Sequence, residues 1–124
     1  MKPDGVLGGW GILIVEDDPL IALDLEQIVK GAGGRVVGPT GRVSKARELV
    51  ARERPDAAVL DVRLASGDTL GLADELLRCG IPFLFQTSDR SAVNERHGGA
   101  VILAEPFRPE QLIDALIKLL ANRC

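Results

Sequence analysis

The chain has 124 residues, is 46% hydrophobic and 27% charged, and carries a formal net charge of -3. That length suits one domain, and the apolar fraction supports a core without a metal or disulfide staple. The acidic balance argues against a nucleic-acid partner held through phosphate contacts, and no apolar run reaches the roughly 18 residues a membrane span requires.

The opening segment, MKPDGVLGGW, reads as a flexible lead-in over residues 1–10, with the domain running over 11–124. It lacks the apolar stretch of a signal peptide. Cys79 and Cys124 have neither a C-x-x-C neighbour nor a histidine at metal spacing, so both read as free thiols in a reducing compartment, and the expected location is cytoplasmic.

Ile12 to Val15 is a continuous apolar run, as in a strand buried on both faces, and it stops at Glu16-Asp17-Asp18. Asp18-Pro19 signals a helix start, with Asp as N-cap and Pro at the first helical position. Ile21, Leu25 and Ile28 continue it, Asp24 falls at the edge of its apolar stripe, and Gly31, Gly33 and Gly34 close it. A second strand is expected over Arg35 to Gly38, and a helix over about Ser44 to Arg54 that Pro55 ends. The third strand, Ala57 to Leu60, ends on Asp61. After a loop marked by Gly67 and Asp68, a helix runs through Leu72, Leu76 and Leu77 to Gly80. Phe83 to Phe85 form the fourth strand, ending at Gln86-Thr87-Ser88. Asp89 to Gly99 is weakly patterned and holds one short helix at most; His97, the only histidine, reads as a solvated loop residue. Ala100 to Leu103 is the fifth strand, and Pro109 opens a last helix reaching about Asn122. Strands alternating with helices in this rhythm predict an α/β fold with a doubly wound parallel sheet.

In such a sheet the working crevice lies beyond the carboxyl ends of the strands. Glu16 and Asp17 stand there on the first strand, Asp61 on the third, Thr87 and Ser88 on the fourth, and Glu105 after the fifth. Converging carboxylates repel unless neutralised, and a hard divalent cation with oxygen ligands, such as Mg²⁺, answers that need. A further exposed carboxylate beside the metal suits phosphoryl transfer. The bland alternative is that acidic residues cap helices beside strand ends, as Asp18 does.

ILIVEDDPLIALDLE, then PDAAVLDVRL, then PFLFQTSD, then EPF, in this order and spacing, resemble the response-regulator receiver domain over nearly all the chain after Trp10. The wording is similar to receivers of the VEDEPLIALDLE and GIPFVFLTG type. The resemblance implies a five-stranded, flavodoxin-like sheet of order 2-1-3-4-5 in a three-layer sandwich. It implies a stand-alone, single-domain response regulator in phosphorelay signalling, a phosphoprotein and not an enzyme. Asp61 matches the acceptor of a phosphoryl group from a histidine kinase or histidine phosphotransfer protein. Asp17 matches the direct Mg²⁺ ligand, Glu16 the acidic partner acting through water, and Arg63 the position whose backbone carbonyl contacts the metal. Thr87 matches the hydroxyl that contacts the phosphoryl group in the switch, and Ser88 a small crevice residue.

Two positions depart from that pattern. Glu105 stands where the family places a Lys before Pro-Phe, and Ile102 stands at the aromatic switch position in a chain without tyrosine. A phosphoryl group entering beside Glu105 meets repulsion. The runner-up reading is therefore a phosphorylation-independent pseudo-receiver acting as an interaction module. A metal-dependent hydrolase is a third, weaker class. Leu112, Ile113, Leu116, Ile117, Leu119 and Leu120 cover a wide arc of the last helix, which reads either as a well-covered core helix or as a homodimer or partner face.

Overall fold

The computed structural model describes residues 5–87 and 100–121. The expectations for Ser88, for one short helix between Asp89 and Gly99, for His97 and for Cys124 lie outside the described residues. Five strands, β1 (Gly11–Val15), β2 (Arg35–Thr40), β3 (Ala57–Asp61), β6 (Phe83–Thr87) and β7 (Val101–Ala104), form one parallel sheet in the order β2-β1-β3-β6-β7. This is the expected order, 2-1-3-4-5, for strands counted within the sheet. Four helices connect or follow them: α1 (Pro19–Gly31), α2 (Val43–Glu53), α3 (Leu70–Arg78) and α4 (Pro109–Ala121). A small antiparallel hairpin, β4 (Arg63–Leu64) with β5 (Gly67–Asp68), stands between β3 and α3.

Alternation along the strands divides the apolar side chains into two layers. Ile12, Ile14, Ala57, Val59 and Leu84 face Leu25 and Val29 of α1 and Leu112, Leu116 and Leu120 of α4. Leu13, Val15, Ala58, Leu60, Phe83 and Phe85 face Ala46 and Leu49 of α2 and Leu72, Ala73 and Leu76 of α3. The wide arc of α4 goes largely into this packing: Ile113 and Leu119 also rest against the core, while Ile117 remains exposed.

Helix α1 begins as its sequence dictates. Asp18 Oδ1 accepts from the N–H groups of Leu20 (2.9 Å) and Ile21 (3.4 Å), two of the donors a helix start leaves without partners. This cap holds the loop that follows the acidic end of β1.

The flexible lead-in needs correction. Leu7 is completely buried in the layer under α1 and α4. Its N–H donates to Ala32 O (2.8 Å), Gly9 N–H donates to Gly33 O (2.8 Å), and Arg35 N–H donates to Trp10 O (2.9 Å). Residues 5–10 thus close the end of the core beside the α1–β2 turn, so the packed unit starts before residue 11.

Candidate functional site

Glu16, Asp17 and Asp61 come together where β1 and β3 end. One carboxylate oxygen from each lies within 4.8 Å of the others. The strands place them: β1 and β3 are neighbours in the order, with Val15 opposite Leu60, so the residues that follow these two emerge side by side. The donor set is oxygen alone and strongly anionic, and it fits a hard divalent cation.

Each carboxylate is held differently. Glu16 is almost fully buried. Its Oε2 accepts from Asp18 N–H (3.0 Å), and its Oε1 accepts from the Nε2 of Gln86. Asp17 is exposed, and its Oδ2 accepts from Ala65 N–H (2.6 Å) at the tip of the β4–β5 hairpin. Asp61 is half-buried, and the Arg63 N–H donates to its carboxylate. Thr69, fully buried, donates its hydroxyl to Asp61 O (2.8 Å), and its N–H donates to Val62 O (2.9 Å). The strand end bearing Asp61 is therefore tied to the start of α3.

These surroundings raise the Asp61 carboxyl from 3.8 to about 7. Burial is the first cause, followed by the Glu16 charge, a hydrogen bond with the Glu16 carboxyl, and the Asp17 charge; the Arg63 N–H acts in the opposite direction. A cation held there would offset this charge and favour the ionised carboxylate. The crevice continues between Pro39–Ser44 and the hairpin residues Ala65, Ser66 and Asp68 as an open cavity of about 1050 Å³.

A family model described as the response regulator receiver domain matches residues 12–117. The chain belongs to this family. The receiver is 37% identical over 103 residues to the phyllosphere-induced regulator PhyR of Methylorubrum extorquens, an alignment covering 79% of this chain and 39% of PhyR. The chain thus spans less than half of that relative. Among solved structures it is similar to SdrG from Sphingomonas melonis Fr1, with a TM-score of 0.80 and 36% identity over 90% of this chain and 97% of SdrG. It is also similar to the receiver domain of the sensor histidine kinase PA1611 from Pseudomonas aeruginosa PAO1, whose structure has a magnesium ion coordinated in the active-site cleft. There the TM-score is 0.78 and the identity 25%, over 92% of this chain and 99% of that one.

The remaining receiver positions fall on neighbouring elements. Thr87 is the last residue of β6, is buried, and accepts the Glu105 N–H on its backbone oxygen (3.0 Å). Ile102 pairs with Phe85 and packs half-buried against the layer under α2 and α3. Glu105 stays outside the three-carboxylate cluster. It lines a groove of about 810 Å³ with Asp24, Leu25 and Ile28 of α1 and with Phe107. Burial raises its carboxyl above the ordinary range, with the charges of Glu16 and Asp18 adding to the effect. The residue in the lysine position therefore feels the crevice as negative charge.

Sequence reasoning missed Gln86 as a partner of Glu16. A lone amide directly after the apolar run Phe83–Phe85 was a usable signal, because a buried polar group needs a partner. Thr69 carried no comparable mark, since its role comes from folding the hairpin onto the site.

Proposed function

We propose that this receiver accepts a phosphoryl group on Asp61 from a histidine kinase or histidine phosphotransfer protein, with Glu16, Asp17, Asp61 and the backbone carbonyl of Arg63 holding Mg²⁺. The observation that carries this reading is the convergence of the Glu16, Asp17 and Asp61 oxygens within 4.8 Å at the carboxyl ends of the strands. The magnesium-bearing receiver of the Pseudomonas kinase supports it.

In the proposed reaction, one Asp61 oxygen attacks the phosphorus. The bond from phosphorus to the donor's imidazole nitrogen breaks, and its electron pair stays on that nitrogen. Mg²⁺ held by these residues would offset charge on the phosphoryl oxygens and on the carboxylates. The Arg63 N–H orients Asp61, Asp18 N–H and Gln86 fix Glu16, and Thr87 hydrogen-bonds a phosphoryl oxygen. The domain works as a cytoplasmic signalling module and not as an enzyme acting on an outside substrate, and nucleic acid is not its own partner.

The second reading, a pseudo-receiver that docks partners without phosphorylation, is favoured by one observation: a carboxylate, Glu105, stands before Pro106-Phe107 where the receiver pattern has a Lys. A titration with Mg²⁺ and beryllofluoride, followed by NMR, separates the two. Saturable shifts around Asp61 that Asp17→Asn removes support the phosphoacceptor. A wild-type protein that responds to neither ligand contradicts it and leaves the pseudo-receiver.

A further inference from the structure

Gln86 stands at the last-but-one position of β6, opposite Asp61 in the β3–β6 register, and is completely buried. Leu84, two residues before it, lies in the apolar layer under α1 and α4. Continuing that layer requires a Leu or Val here, and an amide is costly unless its polar atoms are used. Only half of this amide is used: Nε2 donates to Glu16 Oε1, whereas Oε1 is buried with no partner among the described residues. As packing alone, the residue is a poor choice.

From these observations we infer that Gln86 is a positioning residue of the metal site, fixing the Glu16 carboxylate for cation binding; the inference rests on the proposed Mg²⁺ site. Glu16 is 4% exposed, and among the described residues it has no ion pair. Its two oxygens are satisfied by neutral donors instead, Asp18 N–H on Oε2 and Gln86 Nε2 on Oε1. The backbone donor sets one oxygen and the amide sets the other, so together they define the carboxylate plane. An amide does this without the full positive charge of a Lys or Arg, which would compete with a divalent cation a few ångströms away. Replacing Gln86 by Leu keeps the volume and the apolar layer, removes the unpartnered Oε1, and takes the Gln86 donor away from Glu16 Oε1.

The test compares wild type with Gln86→Leu and Gln86→Asn, measuring Mg²⁺ affinity by calorimetry and melting temperature without metal. Gln86→Leu is expected to weaken Mg²⁺ about 10-fold, the usual effect of removing a group that orients a metal ligand, with the melting temperature little changed, because removing the unpartnered Oε1 offsets the donor lost to Glu16. Gln86→Asn, one methylene too short, should weaken Mg²⁺ as well. In the metal-free wild type, the Gln86 side-chain amide protons should exchange slowly and lose that protection in Glu16→Ala. Equal Mg²⁺ affinity in wild type and Gln86→Leu overturns the inference while leaving the metal site standing. So does a loss of affinity accompanied by a parallel fall in melting temperature, which makes Gln86 a packing residue. A wild type that takes up no Mg²⁺ removes the metal site itself, and the inference with it.

Discussion

Gly41 lies so close against Asp17 that a Cβ built on it would sit 2.5 Å from the Asp17 Cβ and 2.7 Å from its Cα. The β2–α2 turn therefore forms a wall behind the carboxylate that the receiver pattern assigns to the metal. Gly41→Ala should push Asp17 out of the cluster. The expected result is about a 10-fold loss of Mg²⁺ affinity and a stability loss of about 1–3 kcal/mol from overpacking. Calorimetry and urea unfolding of the same variant check both.

Thr69 ties the Asp61 strand end to α3 through its hydroxyl and its N–H. Thr69→Val keeps the shape and removes the hydroxyl, leaving the half-buried Asp61 carbonyl with one donor fewer. A loss of about 1–3 kcal/mol is expected, along with faster amide exchange across residues 62–69. Unchanged exchange there would show that the hairpin holds itself.

The Asp61 carboxyl titrates near 7 in the folded protein against an ordinary 3.8. Between these values the folded state keeps a proton that the unfolded chain has released. The Asp61 contribution to stability without metal is therefore fully present below 3.8 and is lost as pH rises through about 7. Asp61→Asn should flatten that slope and raise stability at pH 8 by about 1 kcal/mol, or about 4 °C, after discounting for the solvent exposure of the group. Mg²⁺, binding only the folded form, should restore the wild type at pH 8 by mass action. Parallel stability curves for wild type and Asp61→Asn across this range would contradict the assignment.

Leu7 anchors residues 5–10 to the core. Leu7→Ala should cost about 2–4 kcal/mol, as for other fully buried leucines, and should expose the α1–β2 turn to exchange. An effect below 0.5 kcal/mol, the range of ordinary surface substitutions, would return this segment to a loose lead-in.

Much of this architecture was readable in the sequence. Continuous runs such as Ile12–Val15 and Ala57–Leu60 suit strands covered on both faces, and Asp18-Pro19 carries its own helix-start chemistry. Because parallel strands share a direction, the residues ending each run, Glu16, Asp17 and Asp61, had to meet at one edge. Short-range patterns did not show the rest. Leu7 is a single apolar residue among glycines and has no period to reveal it. The strands of the Arg63–Asp68 hairpin are two residues each, too short for alternation to register. The nearness of Gly41 to Asp17 arises only when two loops fold against one another. Glu105 was visible as a departure, but its place in the α1 groove, outside the carboxylate cluster, depends on the path of the chain after β7.

The most direct test of the central claim is phosphorylation by acetyl phosphate with Mg²⁺, read by phosphate-binding gels and intact mass, in wild type, Asp61→Asn and Glu105→Lys. The account predicts one Mg²⁺-dependent phosphoryl group on wild type, none on Asp61→Asn, and a higher fraction with a longer lifetime on Glu105→Lys, because a cation there replaces a carboxylate that repels the incoming group. No phosphoryl group on wild type or on Glu105→Lys, with the fold intact, would contradict Asp61 as the acceptor.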